Sequence, residues 1–303
     1  MLYAVIDVGS NSVRLSVYQC ENGNIQPLID KKDTVGLAGY VENGIMVEEG
    51  MKKAAETIGN FYTIARNFNI PSISVFATAS LRNVANQEEV LRYIREYAGV
   101  APEIITGEEE ARLDFIGSTH FLKMERGILV DIGGGSTELV LFEQGSILHL
   151  SSFPIGSLNL YQNHVSGVFP DKEERLAIKK HIRREFEKLC WCPENDVALI
   201  CGVGGTARAF RKLCREVLDV PAEVEYLDTE YLSQLNRMLR KGDLSVRRRF
   251  YKAVPERMLN IQPGLMLLAE VVKMFGSKQM VVSKYGVREG YLIDKVLGKQ
   301  DML

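Results

Sequence analysis

Cysteine is scarce in this chain: five residues, Cys20, Cys190, Cys192, Cys201 and Cys214, are scattered over 303 positions. An odd, dispersed set argues against a disulfide framework and suits reduced thiols in a cytoplasmic protein. Cys190 and Cys192 stand near His181 in sequence, but that spacing fits no common zinc pattern. Long apolar runs are missing too, and none approaches the ~20 residues that a membrane helix needs. The opening MLYAVIDVGS carries no basic leader; it is expected to form the first strand of the fold and not a secretory signal. There is no excess of positive charge, since 37 basic residues face 39 acidic ones for a formal net charge of -2. A general nucleic-acid binder needs a basic surface, so nucleic acid and membrane are not expected partners. A polyanionic substrate remains compatible if its positive field is local. No stretch rich in proline and serine divides the chain, although its length suits two domains.

What is present is a pattern that runs once and then restarts. Apolar, β-prone residues 2–7 and 12–19 predict two strands, and Asn22-Gly23 predicts the hairpin turn that follows. Helical spacing covers 47–67, 86–97 and 108–118, with short strands at 73–78 and 104–105. The restart places strands at 127–131, 138–142 and 146–151, with a turn at Gln144-Gly145. Helices follow at 172–189, 207–214, 227–239, 263–274 and 288–297, with strands at 197–201 and 279–283. Residues 6–10, IDVGS, and 130–134, VDIGG, each put an aspartate at the end of an apolar strand, before a glycine turn and another strand. Two such units predict two similarly built α/β lobes with a cleft between them. The expected limits are 1–124 for the first lobe, joined by the closing helix 286–303, and 125–285 for the second.

The glycine turns carry the chemistry. In DVGSNSVR, residues 7–14, Gly9 permits a tight bend, and the N–H groups beyond it can form an anion nest. Ser10, Asn11 and Ser12 add short hydrogen-bonding side chains, and Asp7 lies at a strand's C-terminal end, where open α/β sheets place ligand groups. In DIGGGSTEL, residues 131–139, three consecutive glycines let phosphate oxygens approach the backbone closely. Asp131 and Glu138 flank that turn as hard oxygen ligands suited to Mg²⁺. TGEEEAR, residues 106–112, opens a helix with Glu108, Glu109 and Glu110. Glutamates there complement the helix dipole, and one of the three can orient an attacking water; the pattern alone does not choose among them. Arg82 and Arg288 sit just beyond strand ends, where a guanidinium can bind phosphate bidentately. GVGGT, residues 202–206, is a weaker glycine signal, compatible with ligand contact or with close helix–strand packing.

In this order, DVGSNSVRL, ATASLR, TGEEEAR, DIGGGSTEL, CGVGGTARA and YGVREG resemble the exopolyphosphatase and guanosine pentaphosphate phosphohydrolase family, within the superfamily of actin, Hsp70 chaperones and sugar kinases. The resemblance implies two RNase H-like lobes and hydrolysis of terminal phosphates from inorganic polyphosphate or guanosine pentaphosphate with Mg²⁺. It assigns the catalytic glutamate to Glu110, with Glu109 as the neighbouring choice. It implies phosphate contacts at Ser10, Asn11, Gly133, Gly134 and Ser136, and cleft arginines at Arg82 and Arg288. Asp131 and Glu138 fall on its magnesium positions, with Asp7 at the equivalent place in the first turn. Residues 77–80 read ATAS where the family often reads ATSA. The resemblance is to a short form without the C-terminal helical domains of longer relatives, and such a form is expected to favour shorter polyphosphates or to be less processive. A homodimer is an expectation carried by the family alone. The rival readings are an ATP-dependent small-molecule kinase of the same superfamily and a non-catalytic sensor of alarmone or polyphosphate.

Overall fold

The first sheet starts with three antiparallel strands, Leu2–Val8, Val13–Glu21 and Asn24–Asp33. Ser72–Ala77 then adds in parallel beside the first of them, and Glu103–Ile104 beside that. The computed structural model describes residues 1–21, 24–241 and 244–298. The expected Asn22-Gly23 turn lies outside the described residues, while the flanking strands pair in register as far as Glu21 opposite Asn24. Alternation decides which side chains meet. Ala4, Ile6 and Val8 point to one face, where they pack with Met51, Ala54 and Ile58 of helix Glu48–Asn67 and with Val90 and Ile94 of helix Gln87–Ala98. Helical spacing in those two segments thus becomes a continuous apolar layer. Gly99, at φ 72°, ends the second helix by donating its N–H to Arg95 O. Asp7 has the opposite parity, beside Phe76 in the parallel register. Tyr291 stacks on Phe76 with ring centroids 4.8 Å apart and donates its hydroxyl to Glu103 at 2.7 Å. The closing segment therefore covers that face of the first sheet.

The second sheet repeats the plan. Arg126–Ile132, Thr137–Glu143 and Ser146–Phe153 are antiparallel, and Leu199–Val203 and then Gln279–Val282 add in parallel. A short strand, Leu227–Asp228, closes the edge antiparallel to Gln279–Val282. The strand order is the same in both sheets apart from that extra edge, so the fold is α/β with two RNase H-like lobes. The chain divides into two compact units, Met1–Glu110 with the chain from Tyr291 onward, and Ala111–Gly290. In the second unit both faces of the sheet are covered. Ile128, Val130, Leu139 and Leu141 pack under helices Lys172–Phe186, Gly204–Val217 and Ile261–Phe275, while Leu129, Val140 and Phe142 face Ala111 and Phe115.

Several boundaries differ from the sequence expectation. Residues 227–228 pair with the sheet instead of starting a helix, and Asp228 Oδ1 accepts the N–H of Glu230 at 2.8 Å, capping helix Glu230–Lys241. Helix Gly204–Val217 begins inside the GVGGT motif and not after it. Ser157–His164 and Leu244–Ala253 are helices whose polar sequences carried too little apolar period to be read. Ala79–Arg82 is a single helical turn, too short for any period. No helix among the described residues is long and apolar enough to cross a membrane.

His164 Nε2 and His181 Nδ1 lie 2.7 Å apart across helices Ser157–His164 and Lys172–Phe186. Burial first, then the nearby Arg184 charge, lowers the pKa of His164; burial and then the partner imidazole lower that of His181. The unfolded chain therefore takes up protons first as pH drops, and folding loses stability below the ordinary histidine value of about 6.5. Denaturation midpoints should fall between pH 7.5 and 5.5, and His181→Gln should flatten that dependence. An unchanged slope in the variant would remove this pair as its cause.

Candidate active site

Both glycine turns are built by the same device. In the first, the Gly9 N–H donates to Ser12 O at 3.1 Å, closing a four-residue bend. The carbonyls of Ser10 and Asn11 accept the N–H groups of Ala38 and Gly36 at 3.0 and 2.9 Å. A trans peptide is planar, with its C=O and the next N–H pointing in opposite directions. Tying down those two carbonyls therefore turns the N–H groups of Asn11 and Ser12 the other way. In the second turn the Gly133 N–H donates to Ser136 O at 3.0 Å. Gly133 O accepts from the Ser157 N–H at 2.9 Å, Gly134 O from Leu158 and Asn159 at 2.9 and 3.1 Å, and Gly135 O from Asn159 Nδ2 at 3.1 Å. The N–H groups of Gly134, Gly135 and Ser136 are thereby aimed away from the helix that begins at Ser157. Successive N–H groups presented together make an anion nest.

The second turn depends on residues that sequence reasoning did not single out. A side chain on Gly156 would put its Cβ 2.5 Å from the carbonyl carbon of Gly134, so only glycine lets the helix start lie against the turn. Asn159 holds both ends of that junction, since its Oδ1 accepts the Gly156 N–H at 2.7 Å. The signal was available as IGSLN directly after the third strand, but it has no resemblance to a known phosphate loop.

The acidic pair of the second unit follows from strand register. Asp131 and Glu138 are directly opposite on neighbouring antiparallel strands, so both project from one face, the face of Leu129 and Val140. Glu138 is 1% exposed and accepts the Ser152 hydroxyl at 2.8 Å. In the first unit the residue opposite Asp7 is Arg14, not a carboxylate, and Arg14 pairs with Asp30 at 3.3 Å. The two turns are thus alike in backbone and unlike in charge. Among the described residues no group of three or more acidic, histidine or cysteine side chains forms a ready cage for a metal. The Asp131–Glu138 pair fits a cation of the Mg²⁺ type, which takes one or two carboxylates and fills its shell with water and phosphate oxygens.

The GVGGT motif supports this pair. Gly204 has φ 72°, and a Cβ there would run into the Asp131 carboxylate. A Cβ on Gly205 would meet the Arg257 guanidinium. The Thr206 hydroxyl donates to Ile132 O at 2.9 Å, fastening the helix to the strand that carries Asp131. Of the two readings open in the sequence, close packing is the one these contacts display.

Glu110 and Arg82 come together in the first unit. Arg82 Nη1 lies 2.8 Å from Glu110 Oε2 and 3.1 Å from Ile105 O, with both side chains largely buried. The neighbouring choice, Glu109, instead pairs with Lys295 at 2.6 Å and is more exposed. Glu108 is exposed at the same helix start. Arg288 is 9% exposed in the first turn of helix Val287–Tyr291, with the Gly286 N–H donating to Glu289 at 2.8 Å beside it. Asp114, one helical turn beyond Glu110, is 0% exposed, and as a lone acid in mid-helix it carries no motif that marks it in the sequence. Burial, and then the charge of Asp114, push the Cys201 thiol up to about 12, so it remains protonated.

The Ppx/GppA phosphatase family model matches residues 16–299. The Aquifex aeolicus member of that family is 26% identical over 99% of this chain and 98% of its own, with a TM-score of 0.79. An exopolyphosphatase from Cytophaga hutchinsonii has the same fold, with 23% identity, 98% of each chain covered and a TM-score of 0.85. An exopolyphosphatase-like protein aligns with a TM-score of 0.84 at 23% identity, over 100% of this chain and 99% of its own. The chain belongs to the Ppx/GppA phosphatase family.

Proposed function

We propose that this chain is an exopolyphosphatase that releases terminal orthophosphate from inorganic polyphosphate, with the terminal phosphoanhydride of guanosine pentaphosphate as a second substrate. The observation that carries this reading is the doubled turn, in which tied-down carbonyls turn successive N–H groups the other way, the arrangement of an anion nest. The family and the exopolyphosphatase of the same fold support it. Each turn offers its own N–H groups to phosphate oxygens, those of Asn11 and Ser12 in the first unit and of Gly134, Gly135 and Ser136 in the second, with the Ser10, Asn11 and Ser136 side chains as further polar contacts. Asp131 and Glu138, with Asp7 as the further candidate, would hold Mg²⁺, which lends positive charge to phosphate oxygens. Glu110 accepts a proton from water as its oxygen attacks the terminal phosphorus and the anhydride P–O bond breaks, leaving orthophosphate and a chain one unit shorter. Arg82 fixes the orientation of Glu110 and, like Arg288, offers N–H donors to non-reacting phosphates.

General-base help is worth about 10²–10⁴-fold. Glu110→Gln should therefore lower kcat for phosphate release by about that factor, with KM little changed. Wild-type turnover in the Gln variant would rule the assignment out. Phosphate release should need neither ATP nor an acceptor and should stop on chelation of divalent cations, returning with added Mg²⁺. Release only with an acceptor present would make the protein a kinase instead. Binding without any release would make it a sensor.

Gly204→Ala should displace Asp131 and strain the backbone, at a cost of about 1–3 kcal/mol, and should raise the Mg²⁺ concentration for half-maximal activity. A variant with unchanged metal dependence would show that Gly204 does not set the position of Asp131.

A further inference from the structure

A pocket of about 540 Å³ opens in the second unit among helices Lys172–Phe186, Glu230–Lys241 and Ile261–Phe275. Each helix gives it one face at helical spacing. Lys172, Arg175 and Lys179 come from the first, and Arg237 and Arg240 from the second. These five cations face a single carboxylate, Glu270, which is already bonded to Arg183 at 3.0 Å. Like charges gathered on facing helices repel, and a bound anion would relieve that repulsion.

The floor asks for something more than an anion. Gln262 is 2% exposed, and among the described residues its Oε1 has no hydrogen-bond donor. Asn236 Oδ1 is likewise buried without a donor, and its orientation is set because Nδ2 donates to Leu265 O at 3.3 Å. Buried carbonyl oxygens ordinarily have a donor. An inorganic phosphate chain near neutral pH offers mainly acceptors, so it satisfies the cations and not the two amides. Leu176 and Met266 add apolar walls. Phosphates for the cations, N–H or O–H donors for the amides and a flat face for the apolar wall describe one ligand class. The volume is also within the range of small-molecule sites.

We propose that this pocket binds a nucleoside polyphosphate, with phosphates at Arg175, Lys179, Arg237 and Arg240 and with ribose hydroxyls or base N–H groups at Asn236 and Gln262. None of these residues belongs to the hydrolytic machinery proposed above, and the inference does not depend on it.

The test is titration of the full chain with a fluorescent GTP analogue, with GTP, ATP and tripolyphosphate as competitors. Lys179→Gln with Arg237→Gln should weaken nucleotide binding at least tenfold, while phosphate release from polyphosphate without nucleotide stays within about twofold. Gln262→Leu should weaken GTP or ATP about tenfold and leave tripolyphosphate unchanged. Both substituted cations are exposed, so the double variant carries the test even if Gln262→Leu fails to fold. Glu110→Gln should retain the binding, which separates failure here from failure of the hydrolytic reading. Nucleotide binding unaffected by the double variant would overturn the proposal. So would tripolyphosphate competing as well as GTP for the binding that the double variant loses, since the pocket would then be a plain anion patch.

Discussion

A planar peptide cannot turn its carbonyl without turning the following N–H, and the candidate site rests on that constraint. The backbone of each glycine turn is held by its carbonyl oxygens, to residues 36–38 in one unit and to the start of helix Ser157–His164 in the other. The N–H groups are therefore preset before any substrate arrives. A site preorganised in this way spends little binding energy on ordering itself, which is what electrostatic stabilisation of a charged transition state requires. The glycines are needed less for mobility than for clearance: Gly156 lets a helix end lie on the turn, and Gly204 lets the Asp131 carboxylate sit beside a helix start.

The same architecture used twice has produced two different chemical surfaces. Register places Glu138 opposite Asp131 and Arg14 opposite Asp7. One position on the second strand thus decides whether the first strand's aspartate has a second hard oxygen beside it or a guanidinium. The first unit adds Glu110 and Arg82, joined at 2.8 Å, and the second adds the carboxylate pair. A repeat in backbone with divergence in side chains has given each half its own set of charged groups.

The basic runs show why charge in sequence is a poor guide to charge in space. Arg183 and Arg249 stand in runs of consecutive arginines, yet they pair with Glu270 and Asp219 at 3.0 and 3.5 Å, and Arg247 lies over the Phe169 ring. Positive charge gathers instead where two helices face one another, three cations from one and two from the other, so that neither segment alone shows the full set. Association of this kind needs the helices to be packed first.

Strands, most helices, the doubled unit and the residues of both turns were legible because each is written locally: alternation for strands, 3.6-residue spacing for helices, glycine where backbone must approach a ligand. Asp7, Ser10, Asn11, Asp131, Gly133, Gly134, Ser136, Glu138 and Glu110 were singled out on that basis and through the family resemblance. Tertiary structure decided the rest. It put Arg82 on Glu110 and Lys295 on Glu109 within a run of three like residues. It gave Gly156, Asn159 and Gly204 their roles, buried Asp114 and turned 227–228 into an edge strand. Those outcomes depend on atoms brought together from distant parts of the chain, and a pattern confined to neighbouring residues holds no record of such meetings.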